Sequence, residues 1–199
     1  MDEARTSKKN LIVSESLKSF FLDSLLELNK KSLSPVPMEA LIYSSEVLNT
    51  YVDPLKFFEV SDEGKVKQKI LGIKLLEAYQ VGREEQKRVY KDVGDSALIL
   101  CGMFNESVNR KILDINYYHK IGKMAYGNLN SLERKVYDYP EFFELISDSF
   151  LILTMLINQV SRTSVKSHDK FIKDLINQNL SDEEMLAIGV LPSRNQREN

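Results

Sequence analysis

Over residues 14–31 the apolar positions Leu17, Phe20, Phe21, Leu25 and Leu28 recur at steps of three and four. That spacing predicts one buried face of a helix, which Ser14 can cap. Ser34-Pro35-Val36-Pro37 ends it, because proline lacks an amide donor and disfavours helix in the residue before it. A second helix is expected over 38–52, with Leu41, Val47, Leu48 and Val52 inward. Asp53-Pro54 breaks it, and Pro54 suits the first position of a short turn through Leu55 to Phe58. A third helix is expected over 63–80, its inward stripe formed by Val66, Ile70, Ile73, Leu75 and Leu76.

The fourth helix, 83–104, opens on Arg83, Glu84, Glu85, Lys87 and Arg88 and closes on Ala97, Leu98, Ile99, Leu100, Cys101 and Met103. A helix wet at one end and apolar all round at the other must push the second end into the core. Asp114 can cap a fifth helix over 115–129, and Asp138 with Pro140 can open a long hydrophobic helix over 140–163. Two more are expected at 168–179 and 181–189, the last opened by the capping box Ser181 to Glu184 and stopped by Gly189 and Pro192. The pattern therefore predicts an all-α, single-domain, irregular or orthogonal bundle of seven or eight helices around the central helix 140–163. The domain spans 11–192, between polar, flexible tails at 1–10 and 193–199.

Composition agrees with this layout. Eight glycines and five prolines in 199 residues are too few for the many tight turns of an all-β fold. A chain of this length buries about 70% of its unfolded surface and needs no metal or disulfide staple. The single cysteine, Cys101, excludes an internal disulfide and suits a cytoplasmic setting. The stretch from Phe142 to Ile157 is interrupted by Glu144, Ser147 and Asp148, and reads as a buried helix too short to span a bilayer. With 27 basic against 29 acidic side chains, nucleic-acid binding is disfavoured; it would need Lys65, Lys67, Lys69, Arg83, Lys87 and Arg88 on one surface. The lysines at 65, 67, 69 and 74 read instead as the solvated face of an amphipathic helix.

The segment from Arg88 to Tyr126 holds the candidate chemistry. Arg88, Asp92 and Asp95 step by four and three along one helix face, while Tyr117, Tyr118 and His119 open the next helix within plausible reach. The six form a candidate polar cluster, either a ligand pocket with a proton-transfer group or a buried network whose members satisfy one another. Gly94, Gly102, Gly122 and Gly127 lie inside helices, at about 1 kcal/mol each relative to alanine, and predict close backbone approach where two helices cross. A helical di-iron site would want Glu-x-x-His pairs, but Asn116 and Val165 precede His119 and His168 by three. A phosphohydrolase set of His119, His168-Asp169 and Asp174 or Asp182 has its adjacent pair at a helix start, and its last aspartates follow too closely to come from a separate helix. No catalytic residue, metal ligand or cofactor site is therefore assigned.

The run Gly94-Asp95-Ser96-Ala97-Leu98, Gly102-Met103-Phe104, Arg110-Lys111, Asp114, Tyr117-Tyr118, Gly122 and Ala125-Tyr126 resembles a family of uncharacterised bacterial proteins of similar length. These carry a Gly-Asp-x-x-Leu helix leading into Gly-x-Phe, then Tyr-Tyr and Gly-x-x-Ala-Tyr, and the ending Ala187 to Pro192 is similar to theirs. The match covers about a fifth of the chain. It implies a bacterial, cytosolic, helical protein, brings no activity or cofactor, and carries no catalytic residue across.

The sequence thus favours a non-enzymatic protein-interaction or regulatory module, its partner another protein or a second copy in a homodimer, with no membrane role. The alternative is a small-molecule binder or enzyme using the polar cluster between the helices at 83–104 and 115–129. An interaction module should expose an apolar patch larger than a few hundred Å².

Overall fold

The computed structural model describes residues 17–60, 66–105, 114–132 and 142–167. Six α-helices lie among these residues: α1 (17–30), α2 (Met38–Thr50), α3 (Leu71–Glu77), α4 (Arg83–Met103), α5 (Ile115–Leu132) and α6 (Phe142–Ser167). The all-α class expected from the pattern holds. The helices expected at 168–179 and 181–189, both tails, and the caps Ser14, Asp138 and Pro140 lie outside the described residues.

The Pro-rich break after α1 is fixed by Asn29. Its side-chain amide donates to the Val36 carbonyl and its carbonyl oxygen accepts from the Val36 amide, both at 2.9 Å. After α2, Asp53 accepts from the Leu55 amide and Pro54 starts a short 3-10 turn, Pro54–Phe57, as the sequence predicts.

The third expected helix is where the structure departs from the periodicity. A strand, β2 (Val66–Gln68), stands in its first half and pairs antiparallel with β1 (Phe58–Val60) before it, with Phe58 opposite Gln68. Helix begins only at Leu71, preceded by Ile70 in extended conformation. The later start resets the phase. Leu71, Leu75 and Ala78 turn inward at helical spacing, while Ile70, Ile73 and Leu76, expected in the core, stay exposed.

The second half of α4 is enclosed on all sides: every residue from Val93 to Gly102 is buried. It packs along α5, and α6 lies against both. The fully enclosed segment is therefore α4 and not the helix at 140–163. The latter, α6, buries Ile146, Phe150, Leu153, Ile157 and Val160 but leaves Leu151 and Met155 exposed. Over Phe142–Thr163 it is long and apolar enough to cross a bilayer, so the shorter length read from the sequence is corrected. Its inner face packs against α4 and α5.

Three of the four glycines sit at helix crossings. A side chain at Gly94 would meet the Tyr126 ring, one at Gly102 would meet Ile157, and one at Gly122 would meet Phe150 and Ala97. Gly127 has open space around it and needs another reason for its presence, which the packing does not supply.

Candidate functional site

The six residues of the sequence-derived cluster fall in different places. Arg88 points outward, its side chain 79% exposed, and reaches Glu85 one turn earlier at 3.4 Å. Asp95 turns toward Tyr43 of α2, and Asp92 toward Lys69 and Lys74, just before and on α3. Tyr117 and Tyr118 meet edge to face at 5.2 Å between ring centres, and the Tyr117 hydroxyl closes over Gly72 of α3. His119 faces α6, where its Nε2 lies 3.3 Å from the Thr154 hydroxyl and its ring stands edge-on to Phe150. Burial lowers the His119 pKa, which favours the neutral ring. Asp114 caps α5 as expected, accepting from the Tyr117 amide at 3.0 Å.

Asp95 is buried on α4 and gathers three donors. Its Oδ1 accepts from the Tyr43 hydroxyl at 2.6 Å and the Tyr126 hydroxyl at 2.7 Å; its Oδ2 accepts from Lys91 Nζ at 2.6 Å. Lys91 also lies over the Tyr43 ring, 5.1 Å from its centre. Both phenols are held well above the ordinary tyrosine pKa, first by burial and then by the Asp95 charge. The protons stay on the tyrosines, so the arrangement is three donors on one carboxylate. It ties α2, α4 and α5 together at one point.

Asp92 forms a second polar group nearer the surface. Its two oxygens take Lys69 Nζ at 2.7 and 2.9 Å and Lys74 Nζ at 3.0 Å. Tyr51 lies beside them, 2.8 Å from the Ser96 hydroxyl. Lys69, expected on a solvated face, is only 10% exposed in its side chain. Burial alone would raise the Asp92 pKa; hydrogen bonds and charge from the two lysines outweigh it and leave the carboxyl below its usual value. A carboxyl whose folded pKa is depressed contributes stability above its unfolded pKa of about 3.9 and loses it as pH falls through the lower folded value. Asp92→Asn is therefore expected to flatten the acid limb of stability below about pH 4, measured as urea midpoint against pH. An unchanged acid limb would show that Asp92 is not coupled to folding.

The cations proposed from sequence as a nucleic-acid surface are engaged where the structure describes them. Lys69 holds Asp92, Lys87 pairs with Glu84, Arg88 with Glu85, and Arg83 donates to the Leu132 carbonyl. Cys101 is buried and its thiol is pushed up by burial, so it packs as a small apolar side chain.

The sequence reading found both aspartates but missed Tyr43, Tyr51 and Tyr126 as their partners, and placed Lys69 and Lys74 in solvent. Tyr43 and Tyr51 lie eight residues apart, close to two helical turns, and both face α4. That spacing is the signal that was available. Comparison of the chain with protein-family models, with curated proteins and with solved structures gives no match.

Proposed function

We propose that this chain is a protein-interaction module that docks its partner on the outer face of α3. One observation carries the reading. Ile70, Ile73 and Leu76 are 57%, 49% and 69% exposed, and Tyr79, in the 3-10 turn that follows α3, is 60% exposed. They recur at steps of three along one short element whose other face, Leu71, Leu75 and Ala78, is buried. Single exposed apolar side chains are ordinary on a protein surface. Four exposed large apolar side chains within ten residues are a denser group than that, and such clusters mark interaction sites.

The six residues of the sequence-derived polar cluster support the rival pocket less well. They divide among an exposed pair at Arg88, the Asp92 group, the Asp95 centre and the start of α5. A pocket needs its polar groups to converge on one space.

The test uses native mass spectrometry of gently purified protein. Wild-type chain should carry a bound protein partner, and Ile73→Arg should be recovered bare. Leu151→Arg, on the exposed face of α6, should keep its partner. Because Ile73 is half exposed, the arginine variant should fold with a stability within about 0.5 kcal/mol of wild type. A partner retained by Ile73→Arg, or lost with Leu151→Arg alone, would remove α3 as the docking face.

A further inference from the structure

We draw no further inference here: the strongest candidate, the exposed apolar pair Leu151 and Met155 on the outer face of α6, is an unpartnered helix face, and nothing in the structure shows what covers it.

Discussion

Asp95→Ala is expected to destabilise the fold by about 3–5 kcal/mol, a large share of the 5–15 kcal/mol that separates a typical domain from its unfolded state. The magnitude follows from what the carboxylate leaves behind. Tyr43 and Tyr126 both donate to Asp95 Oδ1, and both phenols are buried, Tyr126 completely. With the acceptor gone, each hydroxyl loses its partner in a site with little room for water, at about 1–3 kcal/mol apiece. The lost carboxylate volume in a packed interior adds to this. Removing one donor at a time should cost less. Tyr126→Phe and Tyr43→Phe each delete a hydrogen bond to a charged group, about 1.5–3 kcal/mol, but leave Asp95 with its remaining donors. Lys91→Ala should cost under about 1 kcal/mol, because half of the lysine side chain is in solvent. Urea titration should reproduce the order Asp95, then the tyrosines, then Lys91, with a constant slope against denaturant. An Asp95→Ala variant within about 1 kcal/mol of wild type would mean that the two hydroxyls find other acceptors, and that the centre does not hold α2, α4 and α5 together.

The Asp95 centre also shows where sequence reading stops. That Asp95 is unusual was legible, since a carboxylate among Val93, Gly94 and Ala97 on an apolar helix must find partners. Which partners was not. Tyr43 is 52 residues away and Tyr126 is 31, and no helical period encodes a contact between separate elements. The glycines were more informative because a missing side chain is itself a packing statement, and three of the four lie at crossings. The region before α3 misled for a specific reason. Lys65, Lys67 and Lys69 alternate with Val66 and Gln68 at a period of two, which is a strand signal, yet the apolar residues that follow fit a helix of either phase. Leu71, Leu75 and Ala78 form one stripe and Ile70, Ile73 and Leu76 another. Only the short hairpin, which delays the helix start, selects the first for the core. The second stripe is left outside, so the residues whose burial was misjudged are those on which the functional reading rests.

Gly122→Leu should cost about 3 kcal/mol or more, and Gly127→Ala, five residues further along the same helix, should have the opposite sign. A Cβ at Gly122 would overlap the ring of Phe150, itself fully buried on α6, and come within 3.0 Å of the Ala97 Cβ on α4. Three helices meet there, so a larger side chain must part α5 from α6, from α4 or from both. At Gly127 nothing lies within 4 Å of an added Cβ, and alanine should gain up to about 1 kcal/mol from helix propensity. Gly122→Ala separates the two effects at one position. It gains the same propensity but meets the Phe150 ring, and the net should be a loss of about 1–2 kcal/mol. Shortening the obstruction tests the cause. Phe150→Leu alone should destabilise by leaving a cavity, but combined with Gly122→Ala the loss should fall short of the sum by about 1 kcal/mol, since the added methyl fills space that the ring vacates. Strict additivity in that cycle, read from urea midpoints, would show that the close approach of α5 to α6 at Gly122 does not set the packing of the bundle.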